Sequence, residues 1–466
     1  MSRETDAPRV VVLGAGLTGL AAARRLCAEG AEVTVLEKEP GPGGLASTCA
    51  ENGFRFDHGP HRFHTQEDWI LERVRDLLPD ELMQLERKSR IRLLDRYFRY
   101  PLSFGDVLRR MPLSQGAAMV FSYMAEKLGN IVAPRKEESF EDWVVKRFGH
   151  KLYDLYFRPY TAKLWGFAPH QLSVDWASQR ITVPSLSGLL RETLLPSSGK
   201  IRSLVSTFHY PRRGIGRIAE VLAERVGDMG GAIHYRTVPR RITGGQGSFV
   251  IHTAGEQLRA DRVVSTIPLP EYVRLLGDVL PEGLERSAEQ LLYRAVVFVA
   301  LRVDAEIPVE DHWIYASEDR YLFNRISFPE NFDPGMSPEG GFQAVFEFSC
   351  QENDDLWNGD RRLVEAAVTG GERLGLLRAD EVIDHTISRQ AHAYPIYRKG
   401  YSDPLSEVLR AMEELEGSVT CGRQGLFRYN NMDHSIEMGE YAAMETLGRG
   451  SVGERFDWSK DTWADG

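Results

Sequence analysis

A single βαβ unit at the start of the chain constrains the fold more than any other part of the sequence. The apolar run Arg9 to Leu13 predicts a strand buried on both faces of a parallel sheet. A G-x-G-x-x-G pattern follows at once, then a predicted helix over Leu20 to Leu26 and a second strand over Ala31 to Leu36. The acidic residue Glu37 directly follows the second strand. This order predicts a Rossmann-type α/β domain that binds a dinucleotide.

Each part of the glycine pattern has a physical purpose. Gly14 makes the tight turn, Gly16 lets the backbone approach a pyrophosphate, and Gly19 lets the helix pack on the strand. Free N–H groups at the helix N-terminus face the phosphates, and Thr18 within the glycine pattern is expected to contact the cofactor. Glu37 is placed to accept hydrogen bonds from ribose hydroxyls.

A second glycine cluster, Gly41 to Leu45, comes within a few positions of Glu37 and Lys38. Its backbone can line both a pyrophosphate and the flavin end of a longer cofactor, which favours FAD over a lone NAD site. We therefore predict FAD as the cofactor, with Lys38, Gly44 and Leu45 beside it.

Composition narrows the functional class. The 466 residues carry a formal net charge of −10, which argues against a general nucleic-acid binder. The four cysteines form no C-x-x-C pair, so no metal site is expected. No apolar run is long enough to span a membrane and the first residues do not resemble a signal peptide, so we expect a cytoplasmic protein without a membrane partner.

Several blocks resemble the FAD-containing amine oxidase superfamily and, within it, the UDP-galactopyranose mutases. These blocks are Gly43-Gly44-Leu45-Ala46-Ser47-Thr48, the segment Phe54 to His61, the stretch Arg158 to Trp165, Arg180 in its R-x-x-x-P context, Trp313 before Arg325, and Gly422-Arg423 followed by Arg428 to Ser435. They extend over nearly the whole chain, and the last blocks are more specific than the glycine motifs.

The resemblance implies a set of flavin-binding residues. Beside those of the βαβ unit they are Gly44, Leu45, Gly59, Pro60, His61, Val238, Arg423, Asn431, Met432 and Ser435. Arg423 would favour the anionic reduced flavin, and the helix beginning near Asn431 would direct N–H groups at a flavin carbonyl.

The resemblance also implies an activity, in which N5 of the reduced flavin attacks the anomeric carbon of a nucleotide sugar. The nucleoside diphosphate leaves and later returns, so that a pyranose and a furanose interconvert without net redox change. Arg180 and Arg325 would bracket the diphosphate, and His61 would face the flavin. NADPH or NADH is the implied electron donor, and homo-oligomerisation is allowed.

The implied substrate residues depart from the family at some positions. They are Trp165, Tyr156, Thr161, Trp313, Tyr394 and Tyr429. Thr161 stands where an asparagine is expected, Phe332 replaces a tyrosine, and the stretch Arg92 to Asp95 lacks a glutamine near the base. Recognition of uracil by side-chain amides is therefore not supported, and the nucleotide and the sugar stay open.

We predict a discontinuous Rossmann-type FAD-binding domain with a helical domain and an antiparallel β-sheet domain. The ranges are 1–85, 212–290 and 396–466 for the first, 105–200 for the second, and 88–104, 201–211 and 291–395 for the third. Strands are expected over Tyr97 to Phe104, Val238 to Val250 and Arg262 to Ile267.

Two other functions fit the same motifs. One is a redox flavoenzyme of the superfamily, such as a protoporphyrinogen-oxidase-like oxidase or a desaturase, which would need an apolar substrate tunnel and no paired phosphate arginines. The other is a binding scaffold that keeps the fold without catalysis, against which the intact glycine pattern, Glu37 and Gly422-Arg423 argue.

Overall fold

The computed structural model describes residues 7–100, 111–133, 136–180, 207–338 and 340–455. The strands are Arg9–Leu13, Glu32–Leu36, Thr48–Glu51, Phe54–Asp57, Leu82–Glu86, Ser89–Leu93, Arg96–Arg99, Thr207–Pro211, Ala232–His234, Arg241–Gly245, Ser248–His252, Gln257–Ala260, Arg262–Ser265, Tyr293–Val303, Trp313–Ala316, Arg325–Ser327, Phe342–Cys350, Val382–Pro395 and Ser418–Thr420.

Helices connect and cover these strands. The α-helices are Leu17–Ala28, Asp68–Leu77, Leu113–Val132, Phe140–Phe148, His150–Leu152, Arg158–Trp165, Val174–Arg180, Arg217–Asp228, Leu269–Leu276, Leu284–Ala288, Asp360–Arg373, Ser402–Glu413, Gly422–Gly425, Met432–Thr446 and Val452–Arg455. One π-helical turn spans Tyr153–Phe157, and short 3₁₀ turns span Gly44–Ala46, Pro169–Gln171, Gly277–Val279, Pro329–Asn331, Pro334–Met336 and Ala379–Glu381.

The N-terminal strand lies at the centre of a five-stranded parallel sheet. The strand order is Ser418–Thr420, Arg262–Ser265, Arg9–Leu13, Glu32–Leu36 and Ala232–His234. Val12 and Leu13 are fully buried, as a run of β-branched and aliphatic residues covered on both faces requires. The strands come from distant parts of the chain, which confirms the predicted α/β fold.

A seven-stranded sheet forms the second β layer. It follows the order Val382–Pro395, Tyr293–Val303, Phe342–Cys350, Arg325–Ser327, Trp313–Ala316, Ser89–Leu93 and Arg96–Arg99. Its pairings are antiparallel except for that between Trp313–Ala316 and Ser89–Leu93, which is parallel. The sheet predicted from the alternating pattern is therefore mixed, because the strand at residue 89 joins it through a long connection rather than a hairpin.

Two strand predictions were wrong in detail. Val238 precedes the strand Arg241–Gly245 and is exposed, and the predicted continuous strand is a hairpin with a turn at Gln246 and Gly247. Pro239 cannot donate to a ladder, and these turn residues have positive φ angles of 51° and 78°. Of the strand expected at 97–104, the structure has Arg96–Arg99, and residues 101–104 lie outside the described ranges.

The strand Thr207–Pro211 pairs with Leu82–Glu86 in a separate two-stranded sheet, so it is not part of the seven-stranded sheet as the range 201–211 had supposed. The expected domain boundaries otherwise stay a prediction. Across the described part of the chain, we find no helix with both the length and the apolar character that a membrane span requires.

Candidate active site

The turn after the first strand is built for close approach of a ligand to the backbone. A Cβ atom at Gly19 would lie 2.0 Å from the carbonyl oxygen of Gly14, so helix packing requires that glycine. By contrast, a Cβ at Gly16 would meet no protein atom within 4 Å. Gly16 has ordinary backbone angles, φ −72° and ψ 175°. Packing and backbone geometry therefore do not require glycine there, whereas a closely bound pyrophosphate does.

The acidic residue at the end of the second strand is locked in place. One carboxylate oxygen of Glu37 accepts a hydrogen bond from the N–H of Ala15 at 2.7 Å, and the other accepts from the N–H of Glu39 at 2.9 Å. Each oxygen keeps a lone pair that can accept from a ribose hydroxyl. The Glu37 carbonyl accepts from the N–H of Thr237, so Val238 lies next to this position, and Lys38 is exposed.

The helix Met432–Thr446 runs beside Leu17–Ala28 in the same direction. Gly439 packs on Thr18, whose carbonyl oxygen would lie 2.3 Å from a Cβ at that glycine, and farther along Arg25 donates to Sδ of Met444 at 3.5 Å. Because Gly439 lies about two turns after Met432, the second helix begins beyond the first. Both N-termini point their N–H groups the same way, which suits an extended anionic cofactor.

The C-terminal motif joins this region. A Cβ at Gly422 would lie 2.8 Å from Oγ1 of Thr18, which places Arg423 beside the first turn of the N-terminal helix. Asn431 caps the helix that Met432 begins. The hydroxyl of Ser435 donates to the carbonyl of Asn431 at 3.1 Å, so it stabilises the helix start.

A buried carboxyl anchors the segment Asp57 to His61. Asp57 accepts hydrogen bonds from the hydroxyls of Thr48 and Tyr210, both at 2.6 Å, and from the N–H of Ile215 at 3.1 Å. Burial raises the pKa of Asp57 to about 6 despite these donors. The carboxyl thus ties three separate chain segments together behind the site.

The neighbouring His58 links the glycine cluster to the large sheet. The Ser47 hydroxyl donates to the carbonyl of Gly44 at 2.7 Å and lies 3.0 Å from Nδ1 of His58. The other ring nitrogen of His58, Nε2, lies 2.7 Å from the hydroxyl of Ser388. Burial lowers the pKa of His58 to about 4. The ring is therefore neutral, and its contacts fix the relation between the segment at Gly44 and the sheet.

The positive charges of two guanidinium groups act on the side chain of His61. Burial, and then the charges of Arg423 and Arg325, lower the pKa of His61 to about 3. Its Nδ1 is shielded from solvent and has no protein partner. His61 is therefore a neutral imidazole with one unpaired nitrogen.

The guanidinium of Arg325 lies against the backbone of this same segment. A Cβ at Gly59 would be 3.3 Å from Nη2 of Arg325, so only glycine permits this approach. Arg325 donates through Nε and Nη2 to the carboxylate of Glu347, which also accepts from Asn324. Although burial opposes the charge, Glu347 raises the pKa of Arg325 well above its usual value. The Nη1 group takes no part in this pair.

A cation and three aromatic rings form the adjacent wall. The guanidinium of Arg423 lies 4.8 Å from the ring centre of Tyr429, which stacks on Tyr394 at 5.6 Å with an interplanar angle of 7°. Trp165 meets Tyr394 edge to face at 6.1 Å. Arg423 itself donates to the backbone carbonyls of Ala393 and Asn430 and to the Asn430 side chain. In the described ranges it pairs with no carboxylate.

A second tyrosine cluster lies on the other side of Arg325. Tyr156 stacks on Tyr160 at 5.8 Å, and Tyr160 meets Tyr315 edge to face at 6.1 Å. Tyr315 lies 4.8 Å from Tyr100, between ring centres, and its ring centre is 5.8 Å from the Arg325 guanidinium. Burial raises the pKa of Tyr156 and of Tyr160 well above the usual value, so their hydroxyls stay protonated.

The stretch Arg158 to Trp165 supports the site more than it lines it. The ammonium of Lys163 donates to four backbone carbonyls, those of Ala316, Glu318, Tyr321 and Phe323. Thr161 is almost completely buried. This helix is therefore fixed to the large sheet, and that contact orients Tyr156 and Trp165.

Trp313 and Arg180 are the remaining predicted residues. Trp313 stacks on Phe332 with ring centres 6.3 Å apart, and it lies two residues before Tyr315 on the same strand. Arg180 is the last residue of the helix Val174–Arg180, and its side chain lies outside the part that the structure describes. Bracketing of a diphosphate by Arg180 and Arg325 thus stays a prediction.

Sequence reasoning missed several residues of this pocket. Tyr160 belongs to a quoted motif but received no role, and Tyr100, Tyr315 and Glu347 were not singled out. Glu347 is the one charged residue of the buried strand Phe342–Cys350, and an acid in such a run is the signal that could have identified it.

Together these features fit FAD. The position beside Gly16 is open, Glu37 keeps acceptor capacity, and Nδ1 of His61 is unpaired. The candidate cofactor groove is therefore bordered by Gly16, Thr18, Glu37, His61 and Arg423, whereas Lys38 and Val238 are exposed and the side chain of Arg180 lies outside the described ranges.

Comparison with known proteins finds a desaturase and a mutase among the relatives of this chain. The chain is 26% identical over 388 residues to a zeta-carotene-forming phytoene desaturase of Myxococcus xanthus, covering 77% of this chain and 69% of the relative. It is 24% identical over 167 residues to a "probable UDP-galactopyranose mutase" of Klebsiella pneumoniae, covering 35% of this chain and 42% of that protein.

The fold is shared with a solved mutase. The crystal structure of a reduced UDP-galactopyranose mutase superposes with a TM-score of 0.83 at 23% identity, covering 98% of this chain and 97% of that one. The family described as flavin containing amine oxidoreductase matches residues 17–410. The chain therefore belongs to this family of FAD-dependent flavoenzymes.

Proposed function

We propose that the protein is a flavin-dependent nucleotide-sugar mutase that interconverts the pyranose and furanose forms of a sugar. One observation carries the proposal: Arg325 lies 5.8 Å from the ring centre of Tyr315 and Arg423 lies 4.8 Å from that of Tyr429, and both charges lower the pKa of His61. A cationic pocket lined by hydroxyls in a protein of net charge −10 suits an anionic, hydroxyl-rich substrate.

The bound reduced flavin would supply the nucleophile for the anomeric carbon. Arg325 would hold the diphosphate through its free Nη1 group, while Glu347 fixes the plane of the guanidinium. As negative charge grows on the departing diphosphate, this preorganised cation stabilises it without rearrangement. Arg180 is proposed as the second diphosphate ligand, by resemblance.

Tyrosine hydroxyls would hold the sugar and the phosphate oxygens. Burial, together with the charge of Glu347, raises the pKa of Tyr394, so its hydroxyl stays protonated and can donate. Tyr429 lies parallel to it at the Arg423 side of the groove. His61 stays neutral and can accept or donate one hydrogen bond next to the flavin edge, with its charge state unaffected by physiological pH.

The nucleotide is not identified by this pocket. Tyr156 and Trp165, which the resemblance places near the base, are buried and pack on Tyr160 and Tyr394, and side-chain amides are missing at the expected positions. We therefore propose a nucleoside diphosphate sugar as the substrate class, with NADPH or NADH as the reductant.

A desaturase is the second candidate because of the 26% identity to the Myxococcus xanthus enzyme over 77% of this chain. A face of the helix Leu113–Val132 also exposes large apolar residues, with Phe121 and Ile131 each 77% accessible. Against this, a polyene in the groove would remove Arg423 and the tyrosine hydroxyls from water without replacing their hydrogen bonds, which is costly.

The deciding experiment uses FAD-loaded protein reduced anaerobically with dithionite and incubated with UDP-, GDP- and TDP-sugars. A product of equal mass with a furanose NMR signature, formed only by reduced protein, would support the mutase. The oxidised protein and an Arg325→Gln variant serve as controls. If oxidised, FAD-loaded protein instead desaturates phytoene in lipid vesicles, with one flavin reduced for each double bond formed, and reduced protein isomerises no sugar, the protein is a desaturase.

A further inference from the structure

A buried arginine that the proposed mechanism does not use joins two parts of the site. Arg294 lies on the strand Tyr293–Val303 and is only 6% exposed. Its Nε donates to the carbonyl of Leu164 at 2.8 Å, and its Nη2 donates to the carbonyls of Lys163 at 3.2 Å and Ser349 at 3.0 Å. Across the described residues it forms no ion pair with a carboxylate. This cation is therefore held by backbone carbonyls alone.

Two of these carbonyls belong to the end of a helix. Lys163 and Leu164 lie in the last turn of the helix Arg158–Trp165, where carbonyl groups have no partner within the helix and a cation interacts favourably with the helix dipole. Gly166 ends this helix with a φ of 72°, and a Cβ there would lie 2.6 Å from Nη1 of Arg294. Glycine is thus required both for the left-handed turn and for the approach of the guanidinium.

The strand that carries Arg294 also places it beside a predicted substrate residue. Arg294 is directly opposite Tyr394 on the neighbouring antiparallel strand, so both side chains project from the same face of the sheet. Trp165, at the end of the helix, meets the ring of Tyr394 edge to face at 6.1 Å. One guanidinium therefore fixes the helix that carries Trp165 to the pair of strands that carries Tyr394.

The third contact of Arg294 leads to the cation proposed to hold the diphosphate. The hydroxyl of Ser349 donates to Oδ1 of Asn324 at 3.2 Å, and Nδ2 of Asn324 donates to the carboxylate of Glu347 at 2.8 Å. Glu347 in turn accepts from Nε of Arg325 at 2.9 Å. A short series of hydrogen bonds thus relates the end of the helix to the proposed diphosphate site.

Trp165 has a donor that the protein does not use. Its Nε1 is shielded from solvent without a hydrogen-bond partner. A buried N–H without an acceptor is costly, and an acceptor atom of a bound ligand would remove that cost. The indole can serve a ligand in this way only if the end of the helix is held at a fixed place relative to Tyr394.

We propose that Arg294 is a positioning residue, which sets the place of Trp165 relative to Tyr394 and thereby the affinity for a nucleoside diphosphate sugar. The identity of this ligand rests on the proposed function, whereas the placement of Trp165 can be measured without a substrate. The planar guanidinium reaches the carbonyls of the helix and of the sheet at the same time, and a lysine ammonium does not offer that fork.

The first test records near-UV circular dichroism of oxidised, FAD-loaded protein. The difference between the parent and Trp165→Phe defines the band of that indole, and Arg294→Lys should weaken this band. Arg302→Lys is the matched control, because Arg302 lies on the same strand, is 3% exposed and pairs with Glu51 and Asp384. It should lose stability and keep the band. A band retained in Arg294→Lys, or weakened equally in both variants, would overturn the proposal.

The second test measures the kinetics with the nucleotide sugar that the parent isomerises. Arg294→Lys should raise KM about tenfold with kcat within about twofold of the parent, because it weakens binding of ground state and transition state alike. Arg302→Lys should leave both constants unchanged, and a KM unaltered by Arg294→Lys would overturn the proposal. If Arg294→Lys does not fold, Arg294→Met, which removes the buried charge, replaces it in both measurements. If the parent isomerises no sugar, the proposed function fails, and the Trp165 band alone decides the positioning role.

Discussion

Arg325 and Glu347 lie directly opposite each other on neighbouring antiparallel strands, and their side chains form an ion pair against the segment at Gly59. Opposed residues in this register project from the same face of the sheet, so the pair is set by strand pairing rather than by rotamer choice. The side chain of Glu347 is 4% exposed, so the pair is largely shielded from water. The cation proposed to hold the diphosphate is thus held in place by a buried acid.

Replacing that acid should cost stability. Glu347→Gln removes one charge of a buried pair and leaves the arginine uncompensated, so the free energy of unfolding should fall by about 3 kcal/mol. Urea denaturation of the two proteins measures this. Glu365→Gln, which removes the exposed partner of Arg361, should change it by less than about 0.5 kcal/mol. Equal losses in both variants would contradict the buried pair.

The carboxyl of Asp57 predicts a pH dependence of stability with a defined sign. Its pKa is about 6 in the folded protein and 3.8 ordinarily, so the unfolded chain releases this proton more readily. Protonation of Asp57 therefore adds roughly 3 kcal/mol to the free energy of unfolding below pH 4, and this contribution is lost as the pH rises through 6.

The variant Asp57→Asn isolates that contribution, since an amide does not titrate. The difference in unfolding free energy between the parent and the variant should decline between pH 4 and pH 7, as measured by urea denaturation at each pH. A difference that grows over this interval would show that the folded carboxyl has a lowered pKa.

The sequence predicted the cofactor side of the site better than the substrate side. Gly14, Gly16, Gly19 and Glu37 lie within one local unit whose spacing determines its geometry, and the parallel sheet around it was confirmed. The Glu347 contact of Arg325 could not be predicted, because it depends on the register of two strands that are 22 residues apart. Local spacing contains no information on that register.

A motif also contains residues that support the site. Lys163 lies in a motif that resembles substrate-binding positions, and it anchors a helix to four carbonyls. Trp313 was expected at the substrate; its ring centre lies 5.9 Å from the Arg62 guanidinium, and its contact with a substrate stays a prediction. A motif contains both residues that contact ligands and residues that position those side chains, and only the packing in the structure distinguishes the two.

Arg423 should control the reduction potential of the flavin. It pairs with no carboxylate in the described ranges, so its whole charge is available to stabilise an anionic reduced flavin. Arg423→Gln should lower the two-electron midpoint potential by about 30 mV for each 1.4 kcal/mol of lost stabilisation. Spectroelectrochemistry measures this, with Arg449→Gln, an exposed arginine paired with Glu29, as the control. A potential unaltered by Arg423→Gln would place that guanidinium away from the flavin.

An added side chain should have different effects at Gly16 and at Gly19. Gly16→Val adds atoms where no protein atom lies within 4 Å and at backbone angles that any residue adopts, so the apoprotein should unfold at the parent temperature. FAD affinity should nevertheless fall roughly tenfold or more, since the side chain blocks the pyrophosphate. Gly19→Ala instead places a Cβ 2.0 Å from the Gly14 carbonyl oxygen and should lower the unfolding temperature of the apoprotein. Calorimetry of the apoproteins and FAD titration by fluorescence separate the two effects. If Gly16→Val retained full FAD affinity, the pyrophosphate could not lie beside Gly16.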